Sequence, residues 1–349
     1  MNDRARRELV GRLLLVGFEG EVFDRTLERL LLEVRPAGII LFQRNTGGGP
    51  AQVAGLLDRC QDLARAELDR PLLTAIDQEG GPVRRLGPPF TQAPSQREMA
   101  GRMSVDEVRV LSEACGRELA AVGLNLNLAP VLDVVTEAAA SYMTERTFSG
   151  DPHVAGAYGR AVIQGHARSG VLTCAKHFPG IGDVRQDPHY ELPLVGHSTT
   201  RLKTLEALPF ALAVAEGVPA VMTSHVLFRG LDEDHPATFS SRIVTDYLRG
   251  ELGFNGLALT DDLEMGAVVK HYSIGPAAVR AVLAGGDLLL ICRREDRIRE
   301  AAGALYEAAR SGELPAARIE ESSARLQIVL EQLVSFPRTP FEEVFHLGA

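Results

Sequence analysis

The sequence predicts an α/β chain closed into a single (β/α)8 barrel of the TIM type, on three observations. Eight short apolar runs, each bounded by polar, Gly or Pro residues, alternate with stretches of helical period. The runs are apolar throughout rather than alternating, the pattern of parallel strands buried on both faces. Four of the eight end in a charged or His side chain, as expected where strand ends converge on one mouth and build a site there. An open doubly wound sheet fits the first two observations as well; the third favours the barrel.

In chain order the strands are expected at residues 13–18 (LLLVGF), 38–42 (GIILF), 72–77 (LLTAID), 124–129 (LNLNLA), 172–177 (LTCAKH), 220–225 (AVMTSH), 257–262 (LALTDD) and 287–292 (DLLLIC). Helical spacing marks residues 51–66, 105–122, 154–169, 201–216, 241–252 and 275–284. The first run competes with a helix that starts at Asp3 and could continue through it. The polar strand ends carry Asp77, Lys176 with His177, His225, and Asp261 with Asp262. One Asp at a strand end is equally a helix cap, but capping does not explain four such ends. Residues 1–349 are expected to form one catalytic barrel domain, with helices beyond about residue 300 packing on its side.

Composition excludes several classes of function. With 45% apolar and 24% charged residues in a chain of 349, there is enough to bury a core, and disorder is excluded. The four cysteines (Cys60, Cys115, Cys174, Cys292) form no CxxC pair, so neither a disulfide scaffold nor a structural zinc site is expected. A net charge of −9 without a basic run argues against a nucleic-acid or membrane-surface partner. The apolar stretch at residues 13–18 is too short to span a membrane and no cleavage site follows it, so a cytoplasmic, reducing location is expected.

The chemistry concentrates in residues 176–193, KHFPGIGDVRQDPHYELP. Gly180 and Gly182 are expected to loosen a loop that carries Asp183, Asp187 and His189 over the barrel mouth, where a lid would sit. Two residues apart in a turn, the Asp187 carboxylate can orient the His189 imidazole and stabilise its protonated form. A solvated polar loop is the plainer alternative. Metal binding is another, with His177, Asp187, His189 and His225 as donors. No HxH or HExxH pair lies on a rigid element, so no metal and no cofactor are expected.

This segment closely resembles the KHFPGHGxxxxDSHxxLP signature of glycoside hydrolase family 3 β-N-acetylglucosaminidases. Residues 38–45 (GIILFQRN), 77–85 (DQEGGPVRR), 128–134 (LAPVLDV), 145–152 (ERTFSGDP) and 253–265 (GFNGLALTDDLEM) look like further family blocks in family order. The resemblance implies a retaining hydrolysis through a covalent glycosyl–enzyme intermediate. Asp261 matches the nucleophile, His189 the acid/base, and Asp187 the group that orients and activates His189. Asp77, Arg85, Arg146, Lys176 and His177 match the sugar-binding positions. A small carbohydrate or muropeptide is the implied partner: terminal, non-reducing GlcNAc removed from GlcNAc-1,6-anhydroMurNAc fragments in peptidoglycan recycling. Ile181, Pro188 and Pro82 depart from the family pattern, replacing a second loop His, a Ser and an Arg. A same-family β-glucosidase would usually carry a further domain that supplies an acid, for which the stretch after the last strand is expected to be too short. A phosphorylase with the same site, and a Schiff-base lyase using Lys176, stay open on sequence alone.

Overall fold

A computed structural model describes residues 3–136, 142–184, 192–334 and 339–345. Its strands are β1 (Leu14–Val16), β2 (Gly38–Leu41), β3 (Leu73–Ile76), β4 (Leu126–Asn127), β5 (Leu172–Phe178), β6 (Leu194–Val195), β7 (Ala220–Thr223), β8 (Leu227–Phe228), β9 (Leu257–Asp262) and β10 (Leu288–Ile291). Eight of them close into a barrel in the order β1-β10-β9-β7-β5-β4-β3-β2, and every pairing is parallel. Each of the eight apolar runs coincides with one barrel strand, β5 running one residue past its run to Phe178. β6 and β8 form a separate two-stranded parallel sheet beside it.

The apolar runs lack alternation because both strand faces are buried. Leu15, Ile40, Leu73, Ala75, Leu126, Leu172, Ala220, Leu257 and Leu288 share one cluster that fills the barrel. Their neighbours Leu14, Val16, Ile39, Leu41, Ile76, Leu289 and Ile291 share another with the surrounding helices. At the N-terminus, the helix starting at Asp3 stops at Gly11 instead of running through the first strand. A Cβ at Gly11 would stand 2.1 Å from the Val34 carbonyl oxygen, so only glycine lets the chain pass that backbone and turn into β1.

The helical stretches form where expected, although three change pitch, the first of them where Gly49–Leu63 passes into the π-type turn Ala64–Leu68. Val105–Ala121 starts on a Ser104 and Glu107 capping box, and Pro152–Arg168 starts on the Asp151 side chain. Residues 201–216 split into Thr199–Arg201, a π-type turn Leu202–Glu206 and Leu208–Ala215, with Pro209 in the first turn of the last piece. Arg242–Glu251 winds entirely as a π-type helix. Apolar spacing reports which face is buried, not the hydrogen-bond step, so these changes leave no mark on the pattern.

The helix Ala316–Val334 closes the end of the barrel at which the strands begin. Leu326, Val329 and Leu330 join the interior cluster, while Arg318 donates to the carbonyls of Gly285 and Gly286 and to Asp287, just before β10. Among the described residues no helix is long and apolar enough to cross a membrane.

Candidate active site

At the opposite end, where the strands finish, a cavity of about 220 Å³ is lined by Asp77, Glu79, Arg85, Arg146, Lys176, His177 and Asp261, with Phe42, Leu128, Met222 and Met265 among its apolar walls. Asp77 and Glu79 follow β3, Lys176 and His177 belong to β5, Asp261 and Asp262 end β9, and Arg146 closes the short 3-10 turn Thr144–Arg146. Six of the residues expected to bind or attack a sugar (Asp77, Arg85, Arg146, Lys176, His177, Asp261) thus meet in one pocket. Asp187, Pro188 and His189 lie outside the described residues.

A ladder of ion pairs holds the floor of this pocket. The Lys176 ammonium donates to Asp77 Oδ1 and lies equally close, 2.7 Å, to Glu79 Oε1. Arg146 grips Glu79 with two parallel bonds, Nε to Oε2 at 2.9 Å and Nη2 to Oε1 at 2.8 Å, the fork geometry that positions a guanidinium most firmly. Arg85 Nη2 reaches Asp77 Oδ2 at 3.3 Å, while its buried Nε has no hydrogen-bond partner. Burial alone would raise the Asp77 carboxyl, but Lys176 and then Arg85 outweigh it and hold Asp77 well below the usual carboxylate range. Burial would likewise strip the Lys176 ammonium of its proton, and the Asp77 and Glu79 carboxylates reverse this, raising it above an ordinary lysine. Both groups therefore stay charged across the neutral range, as fixed donors and acceptors.

His177 is set by a second buried pair. Its Nδ1 donates to Asp133 Oδ2 at 2.7 Å, and Asp133, wholly buried, also accepts from the Ile181 backbone N–H at 2.7 Å. With Nδ1–H committed, Nε2 is the nitrogen left for a ligand. The Lys176–His177 peptide is cis, and both side chains line the cavity. Gly182 does not loosen the segment as the sequence suggests: a Cβ there would stand 1.8 Å from the Val134 carbonyl oxygen. Glycine serves close approach at this point, and Ile181 buries its side chain beside Val131, Phe178 and Val184. Asp183 faces away from the cavity chemistry, bonded to Thr136 and Arg201.

Asp261 and Asp262 divide as adjacent strand residues should. Asp261 Oδ1 accepts the Asp262 N–H at 2.8 Å and the residue is half-buried on the cavity wall. Asp262 Oδ1 accepts the backbone N–H groups of Glu264 at 3.0 Å and Cys292 at 3.2 Å, tying β9 to β10. Burial raises the Asp262 carboxyl to about 7. His225 donates from Nε2 to the Asp262 carbonyl at 3.0 Å and meets Thr238 through Nδ1. It braces the strand end and does not line the cavity. Burial also pushes the Cys292 thiol well up, so this wall residue is no thiolate.

Sequence reading passes over Glu79, which lines the cavity, and Asp133, which holds His177. Each lies inside a conspicuous block, and Glu79 stands two places beyond Asp77, a spacing that returns a side chain to the same face of an extended chain. Two acid-and-His clusters occur among the described residues, Asp183 with His197 and Glu206, and Asp232 with Asp234 and His235. Neither touches the cavity. In the first, Arg201 already bonds both carboxylates; in the second, Asp232 is taken up by Ser240 and two backbone N–H groups.

Comparison with known proteins places this geometry. The glycosyl hydrolase family 3 N-terminal domain matches residues 6–329. The β-hexosaminidase of Alkalilimnicola ehrlichii is 34% identical over 291 residues, 82% of each chain. Among solved structures, a glycoside hydrolase family 3 β-N-acetylglucosaminidase from Paenibacillus is 39% identical with a TM-score of 0.90, covering 94% of this chain. This chain spans 62% of that one. The β-N-acetylhexosaminidase of Beutenbergia cavernae superposes with a TM-score of 0.87 at 30% identity, over 93% of this chain and 98% of its own.

Proposed function

The chain belongs to glycosyl hydrolase family 3, and from that premise we propose that it is an exo-acting, retaining β-N-acetylglucosaminidase. It removes terminal GlcNAc from muropeptide fragments such as GlcNAc-1,6-anhydroMurNAc, and residues 1–349 work as one catalytic barrel domain. The observation that carries this reading is a single cavity in which the Asp77, Glu79, Lys176 and Arg146 ladder and the His177 imidazole face the same space as Asp261. A sugar ring presents hydroxyls that need both donors and acceptors at fixed places, and the ladder supplies charged ones that are already paired and oriented.

In the first step Asp261 attacks the anomeric carbon, forming an acyl-glycosyl ester as the glycosidic C–O bond breaks. His189, oriented by Asp187, gives its proton to the departing oxygen. In the second step the same imidazole takes a proton from water, which attacks the anomeric carbon and releases Asp261. A histidine with an ordinary pKa near 6.5 suits both directions. Lys176 takes no covalent part. A Schiff-base amine must be neutral to attack, and this one lies 2.7 Å from each of two carboxylates that keep it protonated.

The test is a matched pair of nitrophenyl substrates, β-GlcNAc and β-glucoside, followed by a GlcNAc-anhydroMurNAc fragment with product stereochemistry read by NMR. Strong preference for GlcNAc with a β-configured first product is expected. Equal rates on both sugars, or an α-configured product, would contradict the proposal.

A further inference from the structure

Far from the cavity, at the end where the strands begin, the turns that lead into the first three strands each contribute one arginine. Arg12 precedes β1, Arg35 precedes β2 and Arg70 precedes β3, and these strands are consecutive neighbours in the barrel. Two of the guanidiniums pair with one carboxylate, Glu8, and the third, Arg70, lies close enough to feel its charge. Arg12 Nη2 bonds Glu8 at 2.8 Å and Arg35 Nη2 lies 3.8 Å from its second oxygen. Arg70 is 8% exposed and donates through Nη2 to the carbonyls of Arg35 and Pro36.

The hydrogen-bond inventory of this cluster does not close. Arg70 Nε and Nη1, Arg12 Nε and Arg35 Nε are all buried without a hydrogen-bond partner. A buried, charged N–H donor left unpaired is among the most costly features a fold can keep, and ordinarily signals an ion or a water. Three positive charges facing one negative charge make an anion the better match. The cost is visible in Arg70 itself, where burial and the nearby Arg12, only partly offset by Glu8, push the guanidinium down to about 10. The donor set suits a compact oxyanion, because guanidinium N–H groups match the several oxygens of such an ion better than a single spherical ion.

We propose that Arg12, Arg35 and Arg70 form a binding site for a compact oxyanion of the phosphate or sulfate type, beneath strands β1, β2 and β3. The bound anion neutralises the surplus charge and links three successive turns, including the one that feeds β3, the strand that leads to Asp77. It lies at the opposite end of the barrel from the cavity and takes no part in the reaction.

The test uses the full chain with inorganic phosphate, and separately sulfate, titrated against sodium chloride at constant ionic strength. Thermal unfolding is the readout, because a ligand held by the folded state alone raises the midpoint in a saturable way. A rise that saturates in the low millimolar range is expected. The Arg12→Gln/Arg35→Gln variant, whose side chains are partly exposed, should weaken the apparent affinity at least tenfold while hydrolysis of the nitrophenyl GlcNAc substrate stays unchanged. Each single variant should show part of that loss. A small, linear rise equal in wild type and variants is the general effect of excluded salts on any folded protein, and it would overturn the site, as would no rise at all. Neither result bears on the hydrolase reading, which rests on the other end of the barrel.

Discussion

The region beneath β9 and β10 and the mouth of the barrel solve the same electrostatic problem in opposite ways. Beneath β9 and β10 the carboxylate of Asp287 is wholly buried and saturated. It receives Arg249 at 2.5 Å, Arg318 at 2.8 Å, Arg325 at 3.2 Å, Ser322 at 2.7 Å and the Ala258 N–H at 3.0 Å. No lone pair is left for anything else. At the mouth, Asp77 and Arg85 keep 14% and 28% of their side chains exposed, the Arg85 Nε is unpaired, and Asp261 is held by one backbone N–H and otherwise faces the cavity. A closed inventory builds stability, whereas an inventory left open toward a cavity recognises a ligand. That is the division of labour of a barrel whose loops at the strand ends carry the chemistry.

Breaking each end in turn should separate the two functions. The largest effect is expected from Asp261→Asn, which removes the proposed nucleophile. Turnover should fall by several orders of magnitude with the thermal midpoint unchanged, and a variant that keeps substantial turnover would move the nucleophile elsewhere. Asp287→Ala should do the reverse. It leaves three guanidiniums without their shared carboxylate, a change that costs about 3–5 kcal/mol when one partner of a buried pair is removed. Chemical denaturation should report that loss, while turnover per folded molecule stays near wild type. A stable variant with impaired turnover would erase the distinction between the ends.

Lys176→Met sharpens the comparison within the mouth. Removing the shared cation takes away the proposed sugar-binding donor and leaves Asp77 and Glu79 with only Arg85 and Arg146. A loss of about 100-fold in kcat/KM is expected, and retention of full activity would show that the ladder is structural. The smallest effect concerns pH. The Asp262 carboxyl binds its proton more tightly in the folded chain, at about 7 against an ordinary 3.8. Its contribution to stability is therefore full below about 3.8 and is lost as pH rises through about 7. Asp262→Asn keeps an acceptor for the Glu264 and Cys292 N–H groups but cannot ionise, so the fall in stability across that window should flatten. An unchanged slope would place the titration on another group.

Much of this division was legible in the sequence, for physical reasons that also explain the gaps. The eight strands announced themselves because a parallel barrel buries both strand faces, and Asp77, Lys176, His177 and Asp261 stood out as charge at the ends of apolar runs. Arg146 and Arg85 came through resemblance alone, since one ends a single 3-10 turn and the other sits in irregular backbone, where spacing carries no information. Glu79 and Asp133 were passed over because their importance lies in a partner far along the chain: Arg146 for Glu79, His177 for Asp133. Gly182 misled for a related reason. A glycine that frees a loop and one that lets two backbones touch look alike until Val134 is seen against it. The arginines of the first three turns were invisible as a group, because 23 residues separate Arg12 from Arg35 and 35 separate Arg35 from Arg70.

Asp261 is proposed to form the covalent bond to the sugar. A fluorinated β-glycoside inactivator incubated with the intact chain traps the glycosyl–enzyme, and tandem mass spectrometry of the peptide spanning β9 resolves Asp261 from Asp262. A time-dependent adduct on Asp261 that competing substrate slows is expected. An adduct on Asp262 or Asp77, or full inactivation without a covalent adduct, would contradict it.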